Sequence, residues 1–248
     1  TARRNNVASL FLMHNLAYSE RSLLEAFDRV VVPSKFARRH YWKKLTIDPA
    51  VCPPLFDRSK LFVKENSRQY LTFVNPAVDK GLYFFTGLAL ALNERRPDIP
   101  LLVIESRERS SVFARIPEAS SLRNIRFLPF QEDPRSFLAQ SRLILIPSLC
   151  EETFGRLIVE AGANAIPALC SARGALPETI GGGPHASSLV LPVPSRFTAS
   201  SSFLPTSEEL EPWVTAIERL WDDPEYYQDL GEQLRRAVGR YVDGSSAD

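Results

Sequence analysis

Short runs in which every residue is apolar recur along this chain, separated by longer stretches with helical spacing. Leu101–Ile104 (LLVI) and Leu143–Ile146 (LILI) show no polar alternation, so strands made from them must be covered on both faces. The intervening segments are too long for hairpins and carry Leu, Phe and Ala at helical intervals, as in Lys80–Arg95. That order builds βαβ units, and the fold class is α/β: a parallel sheet with helices on both faces. Right-handed crossovers bring the carboxyl ends of such strands to one edge, where ligands of these sheets bind. The search for function therefore narrows to the residues just after each strand: 75–81, 105–109, 129–132, 147–155 and 171–178.

The pattern predicts strands at Val7–Met13, Arg29–Val32, Tyr70–Val74, Leu101–Ile104, Ile125–Leu128, Leu143–Ile146 and Ala168–Cys170. Helices are expected at Ser19–Phe27, from a Ser34 cap to about Leu45, and at Lys80–Arg95. Further helices are expected at Pro134–Gln140, Phe154–Asn164, Glu208–Leu220 and Pro224–Tyr241, with Ser207 as a cap. Residues 48–68, with Pro49, Pro53 and Pro54, read as a connector, and the polar segment Ser195–Glu209 as a flexible surface loop. The expected organisation is a partial α/β unit over 1–57, a linker over 58–68, a second α/β unit over 69–224, and a closing helix and tail over 225–248.

With 44% hydrophobic and 24% charged residues in 248, the chain has a globular balance and is neither disordered nor fibrous. The apolar run Leu82–Leu92 is broken by Thr86 and Gly87 and is far shorter than the ~20 residues that span a bilayer. No basic, apolar and small-residue succession marks a signal peptide, and three cysteines without ligand spacing suit a reducing, cytoplasmic setting. A start at Thr1 rather than Met suggests a processed or excised piece. The net charge of +1 hides an asymmetry: residues 1–68 hold 13 Lys or Arg against 6 Asp or Glu. Either this basic front meets an anionic partner, such as a membrane surface peripheral to which the chain sits, or it complements the acidic remainder. The motifs of nucleic-acid binding are missing, so nucleic acid is not an expected partner.

The most informative stretch is Pro147–Pro167, PSLCEETFGRLIVEAGANAIP. Glu152 lies in the loop after a strand, and Glu160 about two turns into the next helix, so both can meet one elongated ligand. Phe154 and Gly155 open that helix, whose free amides and positive dipole end suit a phosphate. Glu160 sits among Leu157, Ile158, Val159, Ala161, Gly162 and Ala163, and an acid in so apolar a helix needs a partner. Glu152 taken alone reads as a helix-start acid favoured by the dipole.

These residues resemble the E-x7-E signature of retaining glycosyltransferases of family 4, which have the GT-B architecture of two facing Rossmann-like domains. Ser171–Gly183 (SARGALPETIGGG) is similar to that family's next block, and Phe73–Gly81 (FVNPAVDKG) to an earlier one ending in Lys-Gly. The resemblance covers roughly residues 69–241, and the preceding segment ending in VVVPSKFARRHY looks like the last units of the family's N-terminal domain. It implies transfer of a sugar from a nucleotide-sugar donor to an acceptor hydroxyl, with no cofactor and no metal. The chain contains no Asp-x-Asp pair of the kind metal-dependent transferases use.

Carried onto this sequence, the resemblance gives Glu160 the donor's ribose hydroxyls and Glu152 the hydroxyls of the transferred sugar. Thr153, Phe154 and Gly155 would face the sugar and diphosphate, and Lys80 would neutralise the diphosphate, with Lys80 and Glu152 as the catalytic pair. Pro129 and Phe130 occupy the place of the loop that meets the nucleobase, although Phe130 is equally a core residue. The sequence departs from the pattern at Asn75, where many members carry an Arg that clamps the diphosphate. Arg107 and Arg109 are candidate substitutes, or else solvated loop residues. A whole two-domain enzyme needs about 350–400 residues, so a fragment carrying the donor site is expected. On that reading the usual active-site His lies outside the chain, and His14 is a satisfied structural residue. A nucleotide-sugar epimerase of similar architecture and a non-catalytic binding or assembly module are the alternatives. The acceptor, whether carbohydrate, lipid-linked or small molecule, is unspecified.

Overall fold

A computed structural model describes residues 7–183 and 185–243. Its strands form two sheets, both parallel throughout. The front sheet has the order β1 (Leu10–Leu12), β2 (Arg29–Val32), β3 (Ala50–Val51). The rear sheet contains β4 (Tyr70–Val74), β5 (Leu101–Ile104), β6 (Ile125–Leu128), β7 (Ser141–Ile146), β8 (Ala168–Ser171) and β9 (Val190–Leu191). Their order is β6-β5-β4-β7-β8-β9. The chain walks outward from β4 to β6, then returns to place β7 on the other side of β4. Strand order thus reverses between β4 and β7, and a crevice opens at their carboxyl ends.

Helices α1 (Arg21–Leu24) and α2 (Lys35–Leu45) belong to the front sheet. Helices α3 (Leu82–Arg95), α4 (Arg135–Leu138), α5 (Arg156–Ala163), α6 (Leu176–Ile180), α7 (Ala186–Leu189), α8 (Ser207–Asp222) and α9 (Pro224–Val242) surround the rear one. All four residues of β5 are buried, as their unbroken apolar run requires. Phe73 of β4 stacks on Phe85 of α3 at 4.4 Å, and Phe84 meets Trp213 of α8 edge-on at 5.5 Å. The buried hydroxyls of Thr72 and Ser141 satisfy each other across β4 and β7 at 2.7 Å. Helix α9 closes on α5 because Gly162 has no side chain: a Cβ there would lie 2.9 Å from Leu234.

Several local expectations are corrected. The first helix is only Arg21–Leu24, with no side-chain cap at Glu20 and none from Ser19. The chain turns after it so that Phe27 stacks on Phe11 at 4.7 Å and Asp28 accepts the Ser9 amide and hydroxyl. The connector contains β3, too short to show a pattern. Helix α8 is capped by Thr206, not Ser207, through a reciprocal box with Glu209. The segment read as a flexible loop is pinned by the fully buried Phe197, which packs edge-on to Phe84 at 5.5 Å and against Phe203 at 4.8 Å.

Two ties join front to rear. The Glu178 carboxylate on α6 accepts the Lys35 and Phe36 amides at the start of α2, at 2.7 and 2.8 Å. The Thr153 hydroxyl donates to the His14 carbonyl at 2.6 Å.

Candidate functional site

Three loops meet at the crevice, and glycines let them touch. Gly81, after β4, has φ +92°, and a Cβ there would lie 2.2 Å from the Pro147 carbonyl. The Leu149 and Cys150 amides donate to the Asp79 carbonyl at 2.9 and 3.0 Å, locking the β7 loop to the β4 loop. Gly174, with φ +62°, brings the β8 loop against the Glu152 backbone, whose carbonyl accepts the Ala175 amide at 2.7 Å. The loop that carries Glu152 is therefore fixed by backbone contacts on two sides, through Leu149 and Cys150 on one and Glu152 itself on the other.

Lys80 ends a 3-10 turn over Val78–Lys80 rather than starting α3, and its Nζ donates to Glu152 Oε1 at 2.5 Å. Ser148 Oγ donates to the same oxygen at 2.7 Å. The pair is largely shielded, with the Lys80 and Glu152 side chains 25% and 17% exposed. Burial works to lower the Lys80 pKa, but the charge and hydrogen bond of Glu152, helped by Cys150 and Asp79, outweigh it and raise it. Lys80 stays a cation in the crevice.

Lys80, Glu152, Asn75, Phe154 and Gly155 line one cavity of about 270 Å³, with Ser148 and Arg156. Asn75 has φ +62°, which Asn tolerates better than most residues, and its Oδ1 is buried without a partner. Phe154 is clamped edge-on to Tyr241 at 5.1 Å and tilted against Phe56 at 6.3 Å. The bare Cα of Gly155 serves packing, since a Cβ there would sit 2.7 Å from Ile158. Its amide is engaged by Thr179 Oγ1 at 3.2 Å, so the amides α5 can offer a ligand are those of Arg156 and Leu157.

Arg156 was not among the sequence candidates. It lines the cavity from the first residue of α5, with its guanidinium 4.9 Å from the Phe56 ring centre. The signal is weak: a cation at a helix start opposes the dipole, but α2 also starts with a cation, Lys35, so position alone does not single out Arg156. Glu160 does not line this cavity; it lies one turn further along α5 and meets Arg156 at 3.5 Å. Its partner is thus Arg156. Burial raises the Glu160 pKa, with Arg156 pulling back only part of the shift.

The remaining candidates lie apart. Arg107 is ion-paired with Asp79 on the rim and 58% exposed; Arg109 precedes the 3-10 turn Ser110–Arg115, and neither lines the cavity. Pro129 and Phe130 follow the edge strand β6 outside the cavity, and Phe130, 64% exposed, is not a core residue. Thr153 turns to His14 instead of the cavity. His14 is exposed rather than packed away, and its carbonyl ties the end of β1 to the residue after Glu152. Among the described residues no group of three or more His, Cys, Asp or Glu side chains is placed to hold a metal ion.

A family model for glycosyl transferases group 1 matches residues 57–237. Among solved structures, Anabaena Alr3699/HepE in complex with UDP and glucose superposes with TM-score 0.72 at 15% identity, covering 97% of this chain and 69% of that one. TarM gives 0.73 at 11% identity, covering 97% and 49%. Sucrose-phosphate synthase from Thermosynechococcus elongatus gives 0.68 at 18% identity, covering 95% and 64%. These likenesses show the fold, of the GT-B kind, and the chain spans from 49% to 69% of those three structures' length. No curated protein matches the sequence significantly. The match over residues 57–237 falls on every element that builds the crevice, and the chain belongs to the glycosyl transferases group 1 family.

Proposed function

We propose that the crevice between β4 and β7 holds a nucleotide-sugar and that residues 69–224 present it for transfer to an acceptor hydroxyl, with retention, as in family 4. The observation that carries this reading is the convergence of Lys80, Glu152 and Arg156 on one cavity at the reversal of strand order. Structures of Alr3699/HepE with UDP and with UDP-glucose support this class of donor.

Breaking the bond between the anomeric carbon and the β-phosphate oxygen leaves positive character on the sugar and negative charge on the diphosphate. Lys80, Arg156 and the first amides of α5 stabilise that charge, the part a divalent ion plays in metal-dependent transferases. Arg156 takes up the charge that Asn75 does not supply. Lys80 and Ser148 both bind Oε1 of Glu152, which leaves Oε2 to accept a hydroxyl of the transferred sugar. The unpartnered Oδ1 of Asn75 accepts another. Glu160, held by Arg156 one turn beyond the cavity, accepts the ribose diol of a donor that extends past the cavity along α5. The acceptor hydroxyl attacks from the face the leaving group vacates and gives its proton to the departing β-phosphate oxygen, so the glycosidic bond forms as the sugar–phosphate bond breaks. The basic front suits a peripheral position on an anionic membrane, on the cytoplasmic side.

Thermal melts with UDP, GDP and their sugars test the reading. A matching ligand at a hundredfold excess over its Kd adds about 2.7 kcal/mol, or about 5–10 °C. No stabilisation by any nucleotide-sugar would leave a non-catalytic module. A new sugar formed in donor-only incubation would identify an epimerase instead.

A further inference from the structure

Helix α2 presents a stripe made of Lys35, Arg38, Arg39, Trp42 and Lys43, positions spaced so that all five lie on one face. All five are exposed, and Trp42 keeps 55% of its surface in solvent. With Asp48 and Val51 they line an open groove of about 620 Å³ between the helix and the edge strand β3. Arg38 is held by both oxygens of Asp48, at 2.5 and 2.7 Å. The side-chain cations of Lys35, Arg39 and Lys43 have no carboxylate partner among the described residues, although the Lys35 amide donates to Glu178. Five arginines of the rear lobe, Arg95, Arg96, Arg135, Arg196 and Arg235, are by contrast each paired with acids.

A cationic stripe in which only Arg38 is paired, interrupted by one exposed indole, matches the chemistry of a bilayer surface. Lysine and arginine meet lipid phosphates, while the amphipathic indole seats at the level of the headgroups. The opposite face of α2 is spoken for, since Ala37 and Tyr41 are buried in the front core and Lys44 donates to the Leu16 carbonyl. The start of α2 is fixed to α6 by Glu178, so a surface lying along this stripe is held in register with the rear lobe that carries the donor crevice. We infer that the Lys35–Lys43 face of α2 is the surface by which this protein docks on an anionic phospholipid bilayer. This deepens the peripheral-membrane part of the proposed function and does not depend on the identity of the donor.

Flotation of the full chain with vesicles of phosphatidylcholine alone, or mixed with phosphatidylglycerol, tests it, using the wild type and the Lys35→Gln, Arg39→Gln, Lys43→Gln triple variant. The substituted side chains are exposed, and an unchanged melting temperature and nucleotide-sugar binding confirm that the variant is folded. The expected result is wild-type binding to the anionic vesicles only, lost at high salt, with the partition coefficient falling about a hundredfold in the triple variant. Trp42→Ala is expected to weaken binding while leaving its salt dependence in place. Equal flotation of wild type and triple variant would overturn the assignment to α2 while leaving membrane contact standing. No flotation of the wild type would overturn both, and retention on duplex DNA without vesicle binding would give the stripe to nucleic acid.

Discussion

β5 in the rear sheet and β1 in the front sheet are both short, apolar and parallel to their neighbours, yet they end in opposite environments. Every residue of β5 is buried, between β4 and β6 and beneath helices. Among the described strands β1 lies at an edge, where Leu10 is 63% and Leu12 38% exposed, and the nearby Leu23 of α1 is 60% exposed. An apolar groove lined by Phe11, Tyr18, Leu23 and Phe27 runs beside it. The contrast teaches that an apolar run states what a strand prefers, while its place in the sheet decides what it obtains. The rear lobe is held by its own core. The front lobe has a small one, built on Met13, Leu24, Val32, Ala37 and Tyr41, and is tied to the rear through Glu178 and Thr153.

Substitutions separate the two lobes. Trp213→Ala removes the largest fully buried side chain of the rear core and the donor to the Pro192 carbonyl, and is expected to cost about 3–5 kcal/mol in denaturant unfolding. A cost below about 1 kcal/mol would contradict the view that the rear core carries the stability. Glu178→Ala deletes the acceptor of two amides at the start of α2, at an expected cost of about 1–2 kcal/mol. Hydrogen exchange should show that loss in the first turn of α2 and leave β4 and β5 protected. Faster exchange throughout would mean that the two lobes unfold as one.

Glu160→Gln sharpens the comparison between stability and function inside the rear lobe. Burial raises the folded pKa of Glu160, so the native state binds its proton to higher pH than the unfolded chain does. Stability is then lost as pH rises from the ordinary glutamate range through the raised folded value. The glutamine variant should melt slightly above wild type at pH 7 and match it at low pH, while binding nucleotide-sugar more weakly. A lower melting temperature at pH 7 would show that the Arg156 pair outweighs burial. The smallest effect is expected at Leu23→Ser, which should change unfolding free energy by less than about 0.5 kcal/mol because that side chain already meets solvent.

The rear sheet was legible because LLVI and LILI can be satisfied in only one kind of environment, and the post-strand loops led to Lys80, Glu152 and Asn75. The loops' mutual contacts were not legible, because Gly81 against Pro147 and Gly174 against Glu152 join residues far apart in sequence. Arg156 is not legible in the sequence because a helix-start cation has the pattern of a surface residue, and its orientation by Phe56 and Glu160 exists only in the fold. In the sequence Arg107 stands between a phosphate clamp and a solvated loop residue, because its pairing with Asp79 depends on the three-dimensional approach of two loops. The front helix failed for a local reason: Ser19 makes no cap, and the chain turns to serve Phe11 and Ser9.

Titration calorimetry of the tightest-binding nucleotide-sugar against wild type and Lys80→Met tests the donor crevice most directly. Lys80 is the shielded cation bound to Glu152, so its loss should weaken affinity by about a hundredfold, or about 2.7 kcal/mol. Equal affinity in a folded Lys80→Met protein would place the ligand elsewhere and contradict the account.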